Sequence, residues 1–199
     1  MNELARQIIT AEFGYVAQTA FQANEDRARA WQYFFVTFAT LIAALLSTQV
    51  EGIDQRQLYL TFVVIFTLLA VLGVITILQL VRLRQAWLES VRAMNQIKER
   101  LVADDPALAG YFRWTNNTVP APFKLRSFGF LQALSVALLS GLAVGAAVAF
   151  GGLAGGRAVV PWALSLLAAG FAAAGILGLG YVRPLRNTRP APGPEAKVV

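Results

Sequence analysis

An all-α integral membrane protein is expected from this sequence: four transmembrane helices as two hairpins, with cytoplasmic helical extensions of spans one and two. Three observations lead there. Hydrophobic residues make up 57% of the 199 residues and charged ones 14%, whereas soluble domains carry roughly 25% charged residues. Four windows, Trp31–Val50, Leu58–Val81, Ser127–Gly156 and Ala158–Val182, contain no Asp, Glu, Lys or Arg. Lys and Arg are concentrated in alternate connections between those windows.

Each window reaches the ~20 residues a helix needs to cross a hydrocarbon core of about 30 Å. Spans are expected at 31–50, 58–81, 127–150 and 160–182; the third is trimmed because GGLAGG at 151–156 reads as a glycine-rich turn. The runs are continuously apolar, with no alternation, which favours helices over barrel strands. Residues 1–30 lack the short apolar core of a cleaved signal and read as an amphipathic helix that leads into span one.

Orientation follows from charge. The N-terminal segment holds three Lys/Arg, the 82–126 connection eight and the 183–199 tail four, against one each (Arg56 and Arg157) in the two short connections. Positive residues stay cytoplasmic, so both termini and the central connection are expected on the cytoplasmic face of the cell's inner membrane. The net charge of +6 then suits an anionic inner leaflet as partner, and nucleic acid is not expected. Trp31, Tyr33, Tyr59, Trp162 and Tyr181 lie near span ends, where aromatic rings settle at the interface.

The two hairpins differ in composition. Spans one and two carry large side chains, whereas spans three and four are rich in small ones. Gly141, Gly145 and Ala149 form one row at four-residue spacing, and Gly170, Ala174 and Gly178 another. Such rows let helix backbones approach closely, so the second hairpin is expected to be a tight pair.

Beyond span two the chain has no Gly or Pro until Pro106, and Leu80, Leu83, Trp87, Met94, Ile97 and Leu101 make a heptad-like stripe broken by Ser90. At the N-terminus Leu4, Ile8, Ala11 and Tyr15 form an apolar row, with Ile9, Phe13 and Val16 beside it. Two placements fit this helix: antiparallel packing on the helix leaving span two, as a stalk below the bilayer, or a flat position on the leaflet. The tail 183–199 has four prolines and no apolar periodicity, so it reads as disordered after its first residues.

Chemistry is sparse. With no Cys and no His, a thiolate nucleophile, a Cys/His zinc site and an imidazole base are excluded within the chain. No acidic residue lies in a span, which argues against a proton relay. Asp104 and Asp105 precede Pro106 and read as helix-capping groups. No catalytic, cofactor or metal site is expected. The hydroxyls and amides of Thr37, Thr67, Thr76, Gln132, Ser140 and Ser165 could line a pore, although such groups usually bond to their own helix.

The stretch YFRWTNNTVPAPFKLRSFGF at 111–130 gathers Tyr111, Phe112, Arg113, Trp114, Lys124 and Arg126. Rings and cations of this kind serve equally as headgroup anchors, as contacts to a ligand or partner, or as a base-stacking platform. The membrane reading is preferred, making this segment an interfacial hinge between the halves. The expected function is non-enzymatic: an accessory or scaffold subunit that self-associates or joins a larger membrane complex. A small oligomeric channel gated by the cytoplasmic helices is the alternative.

Overall fold

A computed structural model describes residues 3–47, 54–157, 159–160 and 162–188; it is all-helical, with no strand among the described residues. Helix α1 covers Glu3–Ser47 and α2 covers Gln55–Asp104. Neither contains proline, and each has a single glycine, Gly14 and Gly73, so nothing in either sequence interrupts the backbone ladder. At 1.5 Å per residue the 45 and 50 residues give rods of about 68 and 75 Å, more than twice a hydrocarbon core. Both therefore continue well past their apolar stretches without a break.

Local chemistry fixes the ends. The Asp54 carboxylate accepts from the Gln57 N–H at the start of α2. At its other end Asp105 is extended at φ −141° and donates its N–H to the Leu101 carbonyl, the conformation a residue before proline prefers. The Asp105 carboxylate then accepts from the Ala107 N–H to open the 3-10 turn Pro106–Tyr111. Asp104 pairs with Arg100 at 3.6 Å, so both carboxylates serve helix ends.

Helix α3 spans Phe128–Ala154 and is capped by the Ser127 hydroxyl, which accepts from the Phe130 N–H. It runs through Gly151 and Gly152, and the turn comes only at Gly155 and Gly156, where φ of +84° needs glycine. The helical span is thus longer than the apolar pattern with its glycines implied. Helix α4 begins as Trp162–Gly175, widens to a π-helix over Ile176–Val182 and closes with the turn Arg183–Arg186. Within the widened stretch the Arg183 N–H reaches back five residues to the Gly178 carbonyl. Pro184 supplies a reason: it has no N–H, and in a regular turn its ring presses on the carbonyl four residues earlier.

Four rods, Glu3–Ser47, Gln55–Asp104, Phe128–Ala154 and Trp162–Arg186, are long and apolar enough to cross a membrane. Consecutive helices pack antiparallel. Phe13 lies beneath the Lys98 ammonium while Phe34 packs with Ile77, and Phe150 meets Phe62 and Phe66 at one end of the α2–α3 pair while Val136 joins Leu80 further along. The α2–α3 interface is the most extensive in the bundle. Phe34, Ile77, Leu80, Val81, Ala133, Val136, Tyr181 and Leu185 form the main core, to which all four rods contribute. Leu68, Leu138, Leu166 and Phe171 are among many large apolar side chains left outside, the surface expected of a bundle solvated by lipid.

Close packing must hold such a bundle, because lipid tails are as apolar as leucine and burial alone gains little. The glycines show where it does. A Cβ built on Gly141 comes within 2.5 Å of the Ala169 carbonyl and 2.7 Å of the Ala173 Cβ; one on Gly145 comes within 2.7 Å of the Ser165 carbonyl and 2.9 Å of the Ala169 Cβ. Gly73 admits Ser140 of α3 in the same way.

The α4 face in this contact differs from the expected row. It is Ser165, Ala169 and Ala173, whereas a Cβ on Gly170 or Gly178 meets nothing within 4 Å and Ala174 is exposed. Because α4 is apolar on every side, small residues mark several faces and the sequence alone does not say which one meets α3. Ala149 is half-buried.

Beyond the apolar stretch of α2, Val81, Leu88 and Asn95 are the residues buried at seven-residue spacing. Of the expected stripe, Leu80 is buried, while Leu83, Trp87, Met94, Ile97 and Leu101 are half-buried beside that seam. The seam is rotated by one residue because it accepts a polar group, Asn95, at 1% exposure. Ser90, read as a break, is buried and donates to the Ala86 carbonyl.

Facing it, α1 buries Val16, Ala20 and Ala23. The N-terminal part of α1 is therefore packed along α2, as the stalk arrangement requires. The end of expected span one at 48–50, the start of the short connection at 51–53 and the tail 189–199, read as disordered, lie outside the described residues.

Candidate functional site at the four-helix junction

Of the aromatic and basic side chains in the 111–126 segment, most face outward. Tyr111 is 82% and Trp114 55% exposed, and Arg113, Lys124 and Arg126 are exposed as well. Of the six residues singled out in the sequence, Phe112 is the one that turns in: its ring lies 5.9 Å from the Lys98 ammonium, which also stands 5.9 Å from Phe13. Lys98 donates to the Asn95 amide oxygen at 3.4 Å. One cation thus joins α1, α2 and the connection, an arrangement in which cation–π attraction is worth about 0.5–1 kcal/mol per exposed ring. The segment does not assemble a single cluster from the six residues singled out in the sequence.

What the segment does build is a lid edge for a second set of basic residues. After the 3-10 turn Asn116–Thr118, the carbonyls of Ala121 and Pro122 accept from the Arg84 guanidinium at 3.5 and 3.4 Å. The same guanidinium sits 4.5 Å above the Trp87 ring. Phe123 meets Phe130 edge-on and lies 5.1 Å beneath the Arg186 guanidinium. Gln85 donates to Thr188 at 3.4 Å, and the Trp31 indole N–H donates to the Ser135 hydroxyl at 3.1 Å. Residues from all four rods therefore meet around the ends of the apolar stretches.

Arg27 occupies the centre of that junction. A Cβ built on Gly129, in the first turn of α3, stands 3.5 Å from Arg27 Nη1 and 3.3 Å from the Tyr181 hydroxyl, so both side chains lie against the start of that helix. Arg27 donates to the Asn24 amide oxygen at 2.8 Å, but its Nε is buried with no hydrogen-bond partner. Burial pushes the Arg27 pKa down. Burial also lowers that of Arg84, and repulsion from Arg27 adds to it. Both remain guanidinium at neutral pH.

Among the described residues no carboxylate pairs with either. Among the described residues the ion pairs are Arg6–Glu3, Arg29 with Glu25 and Asp26, and Arg100–Asp104; none involves Arg27 or Arg84. The first turn of α3 adds the positive end of a 27-residue helix. Sequence reasoning counted Arg27 and Arg84 only as charges that orient the chain. The available signal was their position: four residues before span one and three residues after span two, where a bundle brings them level.

The polar groups within the apolar rods show no comparable convergence. Thr61, Thr76 and Ser140 donate to carbonyls of their own helices at 3.0, 2.9 and 2.7 Å, and Ser135 does the same at 2.8 Å. An open groove of about 380 Å³ between α2, α3 and Ile176 is lined mainly by Val71, Val74, Val144 and Val148. It offers no chemistry. Among the described residues no group of three or more acidic side chains is placed to hold a metal. No protein-family model, curated protein or solved structure matches this chain.

Proposed function

We propose that this chain is a non-enzymatic, four-span inner-membrane protein that acts through assembly, as an accessory or scaffold subunit of a homo- or hetero-oligomeric complex. In this reading two hairpins cross the bilayer, and both termini and the central connection are cytoplasmic, with the outward ends of α1 and α2 as a stalk. The charge bias of the connections supports that orientation.

The observation that carries the assembly reading lies on α1 outside its apolar stretch. While Val16, Ala20 and Ala23 are buried, Leu4, Ile8 and Tyr15 are 65%, 59% and 68% exposed. That row lies beyond any lipid in this topology and has no cover among the described residues. An apolar row of this kind on a helix is the form of a helix-to-helix contact surface. The Thr76 and Ser140 hydroxyls, bonded back to their own helices, favour assembly over a pore.

The test is the mass and composition of the complex purified in detergent. A discrete oligomer or a defined partner set is expected, with Leu4→Ser/Ile8→Ser reducing it to a 21.5 kDa chain. A wild-type monomer that crosslinks to nothing in native membranes would sink the reading.

A further inference from the structure

We propose that the junction of Arg27, Arg84 and Tyr181 against Gly129 is a binding site for a phosphate group, supplied by the headgroup of an anionic membrane lipid. The Arg27 guanidinium and the Tyr181 hydroxyl both lie against the first turn of α3 at Gly129. Arg84 is fixed beside them by the Ala121 and Pro122 carbonyls and the Trp87 ring.

Two guanidinium groups drawn together, half-buried and without a carboxylate partner among the described residues, are unfavourable in the isolated chain. Burial depresses the affinity of both for protons, and at Arg84 the charge of Arg27 adds to it. A bound dianion or monoanion reverses that penalty. The Arg27 Nε is buried with its hydrogen unused, and a guanidinium fork matches phosphate oxygens in bidentate fashion.

The assignment of the phosphate to a lipid rests on the membrane reading above. Arg27 lies four residues before the first apolar window and Arg84 three after the second, which sets the site at the depth of cytoplasmic headgroups. Anionic lipids are enriched in that leaflet, and basic pockets between helices on that side are where their headgroups bind. A soluble phosphate compound would present the same oxygens, so the source has to be separated by experiment.

The experiment uses delipidated full-length protein in neutral detergent, titrated with phosphatidylglycerol, phosphatidylcholine or inorganic phosphate. Native mass spectrometry reads adducts and a thermal melt reads stabilisation. Wild type is expected to bind phosphatidylglycerol at least about tenfold more tightly than phosphatidylcholine. Arg27→Gln and Arg84→Gln should each remove about tenfold, the scale of one charged hydrogen bond. Arg157→Gln, in the short connection after α3, should change nothing.

Arg27→Gln breaks only an exposed bond to Asn24 and keeps the test decisive should Arg84→Gln fail to fold. Equal phosphatidylglycerol binding by wild type and the Arg27 variant would overturn the site. So would loss of binding in Lys124→Gln/Arg126→Gln instead, which would place the lipid on the exposed charges. Inorganic phosphate binding as tightly as the lipid would overturn the lipid source alone. Failure of the membrane reading itself is read separately, by extraction of the chain from membranes with alkaline carbonate.

Discussion

Between α1 and α2 the contacts are made by long side chains: Phe34 and Phe38 reach Ile77, Leu69 and Ala70. Between α3 and α4 the backbones themselves meet, with Gly141 and Gly145 set against the carbonyls of Ala169 and Ser165. The difference has a physical reason. In lipid there is little gain from hiding a leucine, so a pair with little helix beyond its apolar stretches needs close backbone approach. The α1–α2 pair has a second source of stability, since its outer ends can bury apolar surface from water. Each half is suited to its solvent.

The sharpest way to break this contrast is to empty the side-chain half. Phe34 is 1% exposed in the main core, and Phe34→Ala should destabilise the folded protein by about 3–5 kcal/mol, read by denaturant unfolding in detergent. An effect under about 1 kcal/mol would mean that this core is not packed as described. Next comes the backbone half. Gly141→Ala drives a Cβ into the Ala169 carbonyl, which cannot rotate away as a side chain would. A loss of about 1–3 kcal/mol is expected, again from denaturant unfolding, and a neutral result would show that α3 and α4 are not in contact there.

Phe34 could be chosen only with the structure in hand, whereas Gly141 already stood out in the sequence as part of a small-residue row, and the halves themselves were readable. The four apolar rods, the unbroken continuation of α2 to Asp104 and the small-residue character of α3 and α4 all follow from composition and from missing breakers. Faces within the apolar rods do not. A soluble helix announces its buried side by polarity, but in lipid the buried and lipid-facing sides are equally apolar, which is why Gly170 and Gly178 looked as suitable as Ala169. Ser90 shows the complementary case: a polar residue in a heptad stripe reads as a break, although here it is buried, as is Asn95. The π-helical stretch before Pro184 and the meeting of Arg27 with Arg84 depend on how rods are rotated and levelled, which no local pattern encodes.

Asn95 tests the stalk more finely. Its amide nitrogen is buried without a partner, and an orphaned polar group costs about 1–3 kcal/mol. Asn95→Leu should therefore leave thermal stability unchanged or raise it, while loosening the register of α1 on α2, measured as a broader set of disulfides between cysteine pairs introduced at 13 and 98 and at neighbouring positions. A clear fall in melting temperature would show that the amide has a partner in the working protein. The smallest effect is expected at Gly170→Ala. Open space surrounds that position, so the change should be neutral or gain up to about 1 kcal/mol from helix propensity in the same denaturant assay. A loss equal to that of Gly141→Ala would rotate α4 back to the other face.

The most direct test of assembly through the stalk exploits a chain with no cysteine of its own. Single cysteines at Ile8, on the exposed face of α1, and at Val16, on its buried face, are treated with a short bismaleimide in intact membranes. The account predicts discrete crosslinked species for Ile8→Cys, either a dimer or a complex with one defined partner, and none for Val16→Cys. If the Ile8 variant stays at the mass of a single chain while its thiol is shown to be reactive, the exposed row covers nothing and the assembly reading is contradicted.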